Sequence, residues 1–407
     1  MQVRHAFGKL KDRRKVQRNL AFTRYVLLFL ATFPGIYYVL ALYSSWRFFR
    51  TANKERPSPG FTPPVSNLQP IRGLDREAYE NFASLCRQDY PDYELLFCVG
   101  SGDDPVVPVI EKLARDFPER SIRLFHGANR SGVNDKVAKL ARLVGEARNE
   151  VLVINDSDVR VDPDYFRTVV APLRDPHVGA VTCFYASTED RTFAENFQSL
   201  GMMSDFFAGI LVSQQLEGVR FALGTTIATT RTRLAEFGGY ESLVNRPGDD
   251  FLVGNLIAEH GHTVKLLPHT VLAVSDYASF GQLIHKRLRW MVVMRHMRPW
   301  GHAGLVFTQG LPWCLAAMAL LPSALASCAL FGGYLALRGA MMWTIGIHGL
   351  HRRGLWKRIP LIPLWDAFAF LIWLASFTRR SLRWRDNDYY IRDGQLVPAV
   401  STAEPRQ

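Results

Sequence analysis

Two aspartates, Asp156 and Asp158, follow directly on the apolar run Val151–Ile154 in VLVINDSDVRV. A buried strand that ends there turns both carboxylates into one cleft. Hard oxygen ligands in that position suit Mg2+ or Mn2+, which keep coordination sites open for diphosphate oxygens. The same residues also fit an Asx turn, and Asp162 in DPDYF reads as a helix cap. CVGSGDDP places Asp103 and Asp104 between another strand end and a helix start. A carboxylate there either caps the helix or reaches a ribose or uracil at the sheet edge. RPGDDF opens a helix on Asp249 and Asp250. The orphan N–H groups and the helix dipole favour an acid there, but two in a row exceed what one cap needs. In SFGQLIHKRLRWMVVMRHM, Phe280, Leu283, Ile284, Leu288, Met291 and Val292 recur at helical spacing, with Gln282, Lys286, Arg289 and His296 opposite. This reads as an amphipathic helix, basic on one side, with Trp290 at its boundary.

Other chemistries find little support. His260 and His262 have no second pair at ligand spacing, and the five cysteines form no CxxC, which argues against zinc and against a disulfide framework. There is no GxGxxG, P-loop or GxSxG, so dinucleotide binding, Walker-type NTP hydrolysis and hydrolase chemistry are disfavoured. The net charge of +12 calls for anionic partners. The aromatic residues concentrate in apolar segments, so nucleic acid explains the charge poorly.

These residues need a scaffold. ELLFCVG (94–100), SIRLFHG (121–127), EVLVIND (150–156) and GAVTCFY (179–185) read as strands, and 75–87, 105–117, 134–147 and 163–172 as helices. Such alternation predicts an α/β domain with a mostly parallel sheet covered on both faces, ligands lying beyond the carboxyl ends of its strands. The expected organisation is a basic tail (1–24), an apolar anchor (25–46), a linker (47–66), the α/β domain (67–300), membrane segments (301–378) and a basic polar tail (379–407). The uncharged anchor is long enough to span a bilayer, with a re-entrant hairpin kinked at Pro34-Gly35 as the alternative. Two spans are expected in 305–349. Basic clusters on both sides of 359–377, a segment interrupted by Asp366, favour a re-entrant path.

The order of the motifs resembles the D, D, D, (Q/R)xxRW pattern of membrane glycosyltransferases of the family 2 and family 21 type. It is most similar to the ceramide glucosyltransferase-like family and related bacterial hopanoid glycosyltransferases. The resemblance runs through QPIRG (69–73), CxQDYPxYELLFCV (86–99), SGVNDKVAKL (131–140), DSDVRV (156–161), GDDF (248–251) and KRLRW (286–290). It implies a GT-A fold, a UDP-sugar donor and a lipid acceptor, ceramide or a hopanoid. Asp103 and Asp104 would face the nucleoside, Lys136 the phosphate, and Asp156 with Asp158 the metal. Asp250 would be the catalytic base, and Arg289 and Trp290 the RW pair. Asp249, Lys286 and Arg287 stand where they would meet diphosphate or acceptor; Lys286 replaces the usual Gln or Arg.

The implied reaction is a single displacement that inverts the anomeric centre. Asp250 takes the acceptor proton, and UDP leaves as an anion that needs no acid. The rival readings are N-acetylglucosamine transfer to a hopanoid polyol, a processive polysaccharide synthase, and a non-catalytic membrane adaptor with a GT-A shell. More Lys and Arg precede the anchor than follow it, which would put the domain outside. A cytosolic donor pool, at a bacterial inner membrane, requires it inside.

Overall fold

The computed structural model describes residue 19 and residues 21–52, 60–128, 132–187, 192–274, 279–384 and 387–399. The basic residues of the tail before Arg24 and residues 53–59 of the expected linker lie outside these.

Eight strands form the central sheet: β1 (Val65–Pro70), β2 (Tyr93–Val99), β3 (Ser121–His126), β4 (Val151–Ile154), β5 (Val159–Arg160), β6 (Val178–Ser187), β7 (Ile227–Thr230) and β8 (Thr263–Ala273). Their order is β3-β2-β1-β4-β7-β6-β8-β5. The β1/β2, β2/β3, β1/β4 and β6/β8 pairs are parallel, and β7 and β5 run antiparallel to their neighbours. The four expected strands all form. The others were hidden by polar positions, as in VSNLQP, which is buried throughout.

Along β2, Leu95, Phe97 and Val99 enter one core and Leu96 and Cys98 the other. This alternation explains why the strand reads as a continuous apolar run. One core holds α2 (Ala78–Cys86), α3 (Val107–Asp116) and α5 (Tyr165–Val170). The other holds α4 (Asp135–Glu146), α6 (Phe193–Gly201), α7 (Phe207–Glu217) and α8 (Asp249–Glu259), and continues without interruption into the apolar helices. Gly201 sits where a Cβ would overlap the Trp365 ring, so the domain and the last apolar helix touch backbone to ring.

Among the described residues, three helices are long and apolar enough to cross a membrane: α1 (Ala21–Thr51), Ala324–Gly349 and Arg353–Thr378. The first runs as a helix with a turn at residues 31–32 rather than as a hairpin. Pro34 has no N–H to give, and Thr32 turns its hydroxyl onto the Phe29 carbonyl at 2.7 Å. In 305–349, where two spans were expected, Ala324–Gly349 is one, and Pro299–Thr308 with Gly310–Leu320 (α10) is a pair bent by 48° that makes a second if it crosses as one.

Asp366, which looked like an interruption, is a partner. Arg338 on α11 (Ala324–Met342) meets Asp366 on α12 (Ile362–Thr378) with two N–H groups along one edge of its fork, Nε to Oδ2 at 2.9 Å, and donates a third bond to the Ser204 carbonyl. Tyr334 donates to the same carboxylate at 2.7 Å. Lysine cannot reproduce that fork. Arg338→Lys should cost about 1.5–3 kcal/mol, the worth of one charged hydrogen bond, and lower the thermal midpoint in detergent by several degrees. An unchanged midpoint would show that the pair does not clamp the two helices.

Helix α9 (Phe280–Met297) starts on Ser279, whose hydroxyl accepts from the Gln282 N–H. It packs between the site and α12, with Leu283, Arg287 and Val292 buried. The expected polar tail is folded as far as Pro398. Strands β9 (Ser381–Trp384), β10 (Asn387–Arg392) and β11 (Gln395–Pro398) form an antiparallel sheet whose Leu382, Ile391 and Leu396 cover Val292. Its second turn is Asp393-Gly394, both at positive φ, the dipeptide such a hairpin turn favours.

Candidate active site

The residues after β4 are held by buried polar groups. Asn155 accepts from Asn67 (2.8 Å) and donates to the Tyr165 hydroxyl (2.7 Å) and the Thr225 carbonyl (2.8 Å). A strand end so tied cannot drift, and Asp156 comes next. Because β7 pairs antiparallel with β4, Ile227 opposite Ile154, the residues that lead into β7 lie at the carboxyl end of β4. Gly224 is therefore a neighbour of Asp156.

Lys136 is the second residue of α4, which Asn134 caps by accepting the Val137 N–H. A cation at a helix N-terminus opposes the dipole, so this lysine is held by acids. Its Nζ lies 2.8 Å from Asp156 and 3.1 Å from Asp249. Burial works against the ammonium, but Asp156, Asp249 and Asp250 outweigh it and raise the lysine above its ordinary range. Asp249 and Asp250 open α8 behind Gly248, which is left-handed (φ 68°), and neither caps the helix. Asp250 accepts instead from the N–H groups of Gly224 (3.0 Å) and Phe251 (2.8 Å). Burial, then Asp249, push its carboxyl up to about 6 despite Lys136.

Asp158 is likewise pushed up to about 6, by burial and then by Asp156, with Lys286 pulling it down. Two carboxylates crowded in this way gain from a divalent cation between them. No group of three or more metal-ligating side chains gathers among the described residues. The chain would thus supply Asp156 and Asp158 and leave the other positions to diphosphate and water, which is how Mg2+ and Mn2+ are held at phosphates.

A cavity of about 780 Å3 joins these groups. Lys136, Asp156, Asp158, Asp249, Asp250, Lys286, Arg287, Arg289 and Trp290 all line it. Arg287 donates to Gln198 at 2.7 Å and lies over the rings of Trp365 (4.7 Å) and Trp290 (5.2 Å), while Lys286 lies 5.5 Å from the Trp290 centroid. Asp103 and Asp104 are not brought in. Asp103 is exposed. Asp104 accepts from Gly73 (2.9 Å) and Val106 (3.1 Å), which fixes the turn after β1. The cavity wall on that side is Pro70, Ile71 and Arg72.

Sequence reasoning passed over Asp75 and Gly224. Asp75 lines the cavity and accepts from the Ser157 hydroxyl; recognising β1 would have revealed it as an acid beyond a strand end. Gly224 carries no such signal. A Cβ there would stand 3.0 Å from Asp156 Oδ2 and 3.1 Å from Asp250 Oδ2. Gly224→Ala should therefore shift two carboxylates by tenths of an ångström and lower turnover about tenfold, given that a 1 Å misplacement costs about 10²-fold. Its unfolding midpoint should barely move. Full turnover in the alanine variant would deny the glycine any positioning role.

At the other end the cavity is lined by Tyr37, Met202, Met203, Phe206, Leu305, Trp365, Phe368, Ile372 and Trp373. Tyr37, Trp365, Phe368, Ile372 and Trp373 belong to helices long enough to cross a membrane. The acidic edge of the sheet and an apolar chamber between these helices are thus one continuous space.

Ceramide glucosyltransferase 3 of Caenorhabditis elegans is 25% identical over 264 residues, 64% of this chain and 56% of that protein. The chain thus spans little more than half the length of that relative. Ceramide glucosyltransferase of Komagataella phaffii is 31% identical over 151 residues, 36% of this chain and 28% of its own. Among solved structures, a mannosyltransferase of Pyrobaculum calidifontis in complex with GDP-Man and Mn2+ covers 86% of this chain and 99% of its own, with a TM-score of 0.58 and 20% identity. That likeness concerns the GT-A fold alone. The glycosyl transferase family 21 model matches residues 26–397, most of the length, and the chain belongs to that family.

Proposed function

We propose that the chain transfers a hexose from a UDP-sugar to the hydroxyl of a membrane lipid, with ceramide as the acceptor type and inversion at the anomeric carbon. The observation that carries this reading is the continuity of the cavity. A lipid whose tails lie against Phe206, Phe368 and Ile372 presents its headgroup to Asp250 without leaving the apolar phase. The ceramide glucosyltransferases among the relatives support the donor and acceptor class.

Asp250 is the base. The Gly224 and Phe251 N–H groups hold its carboxylate still, and a value raised to about 6 makes it a stronger base that is still ionised at pH 7. It accepts the hydroxyl proton as the oxygen attacks. Lys136, Arg289 and Lys286 face the leaving diphosphate and offset its growing charge. Asp156 and Asp158 are the residues that would hold a divalent cation, which when bound neutralises the diphosphate further. Trp290, packed on Phe206 at 6.0 Å between ring centroids, forms the wall where the polar and apolar halves meet. The domain faces the cytosol, where nucleotide sugar is available.

The test is a mass-spectrometric product screen. Membranes that contain the chain receive UDP-glucose, UDP-galactose or UDP-N-acetylglucosamine, with ceramide, diacylglycerol or a hopanoid polyol, and Mg2+ or Mn2+. A monoglycosylated lipid is expected with UDP-glucose and ceramide. A polymer, or no release of UDP with any pair, would overturn the reading.

A further inference from the structure

Between α6 and α7 the chain makes one π turn, Met202–Phe206. Such wide turns interrupt the helical ladder and are frequent at functional sites. This one places the Asp205 side chain in the wall of the cavity, in its apolar half, among Tyr37, Met202, Phe206 and Trp365. A carboxylate is costly there unless something answers it. The two guanidiniums that act on it are both engaged elsewhere: Arg338 gives two N–H groups to Asp366 and a further one to the Ser204 carbonyl, and Arg287 donates to Gln198. No ion pair closes on Asp205 among the described residues. Trp365 supplies a second, independent observation. It is 1% exposed, lines the same cavity, and its indole N–H has no hydrogen-bond partner among the described residues. The indole is turned toward Asp205 but closes no bond of normal geometry on it.

An acceptor and a donor that face one another without a closed bond, in an apolar chamber, are the complement of a group that carries a donor and an acceptor together. We propose that Asp205 and Trp365 recognise the acceptor lipid through a secondary amide or a second hydroxyl next to the hydroxyl that is glycosylated. This rests on the reading of the cavity's apolar half as the lipid site. The carboxylate takes the N–H or O–H, and the indole N–H donates to the neighbouring carbonyl or hydroxyl oxygen. A lipid with ester carbonyls alone satisfies the indole and leaves the carboxylate bare, so it is rejected by an unpaired buried charge rather than by shape.

The experiment measures binding, so it does not depend on turnover. Tritiated hexanoyl-ceramide is bound to the full chain in nanodiscs and displaced by unlabelled hexanoyl-ceramide, its N-methyl derivative or dihexanoylglycerol. The wild type should prefer hexanoyl-ceramide to dihexanoylglycerol by about tenfold or more, the worth of a hydrogen bond to a charged group. Asp205→Ala should lose about that factor for the ceramide and leave dihexanoylglycerol unchanged. Trp365→Phe, which keeps a ring and removes the N–H, should lower ceramide affinity by a smaller factor. A weaker N-methyl derivative assigns the amide as the recognised donor; an equal one assigns the hydroxyl. Equal affinity of the wild type for the two unmodified lipids overturns the proposal, and so does an Asp205→Ala effect that is the same on both. Should Asp205→Ala not fold, Asp205→Asn carries the same expectation, since it keeps the shape and loses the charge. A wild type that discriminates between the lipids but glycosylates neither would sink the transferase reading and leave this site standing.

Discussion

Asp250→Asn should lower turnover by about 10²–10⁴-fold, the range of general base catalysis, while the protein unfolds at nearly its usual temperature. The two halves of this expectation have one cause. The folded carboxyl is raised to about 6 from its ordinary 3.8, chiefly by burial and by Asp249. A folded value above the unfolded one means that ionising the group opposes folding. That penalty is absent below the unfolded value and is fully present above pH 6. Replacing the carboxylate by a neutral amide removes it at pH 7. Against this stands the loss of one accepted N–H, from Gly224 or Phe251, worth about 1 kcal/mol. A variant that lost activity together with its fold would make Asp250 a structural acid, and one that kept more than about a tenth of the rate would remove it as the base.

The same value fixes the acid limb of the pH profile. An ionised Asp250 is needed to accept the proton, so activity should fall on acidification below about pH 6, by about tenfold per unit. Asp158 is raised to about 6 as well, and its charge is needed to hold a cation. The limb should therefore steepen beyond one power of ten per unit at low divalent concentration, and relax toward one when Mg2+ or Mn2+ is in excess.

How much of this site was legible depended on what each residue answers to. Asp156 and Asp158 could be read because an apolar strand runs into them. Asp250 could be read because a pair of acids exceeds the needs of one helix start. Asp103 and Asp104 had the same signature, yet Asp104 fixes the Gly73 turn and Asp103 is exposed; a strand end followed by acids does not say which of them turn inward. Gly224 and Asp205 had no local signal. Gly224 matters because an antiparallel strand brings it opposite the end of β4, and Asp205 because a π turn faces a chamber closed by helices far along the chain. Pairing of that kind is long-range and invisible to windowed patterns. Arg338 and Asp366 show the converse. Asp366 read as a flaw in an apolar segment, and Arg338 on another helix explains it. The C-terminal sheet was the avoidable omission, since Asp-Gly between alternating apolar residues is itself a hairpin signal.

Lys136→Met should be the second most damaging substitution, and its effect should separate into two measurable parts. Lys136 touches Asp156 and Asp249 and lies close enough to Asp250 to lower its carboxyl. Without the ammonium, the first part is a loss of charge that faces the diphosphate. By analogy with the removal of one preorganised donor, that costs about 10²–10³-fold in turnover. The second part is electrostatic on the base itself. With its main counter-charge gone, Asp250 rises further, so the acid limb moves to higher pH and the loss at pH 6.5 exceeds the loss at pH 8. Lys136→Arg tells the parts apart. It keeps the charge, so the limb should return to near its wild-type position. Its bulkier fork cannot sit at 2.8 Å from Asp156 and 3.1 Å from Asp249 in the same space, so the rate should recover only in part. Divalent ions supply a further sign. Lys136 competes with a cation for Asp156, so the methionine variant should bind Mn2+ at least as tightly as the wild type while it turns over slowly. Full rates per pH unit for both variants, with Mn2+ titrated alongside, decide the matter. A methionine variant with an unshifted acid limb would mean that Lys136 does not tune the base, and weakened Mn2+ binding would mean that it helps to build the metal site rather than competing for it.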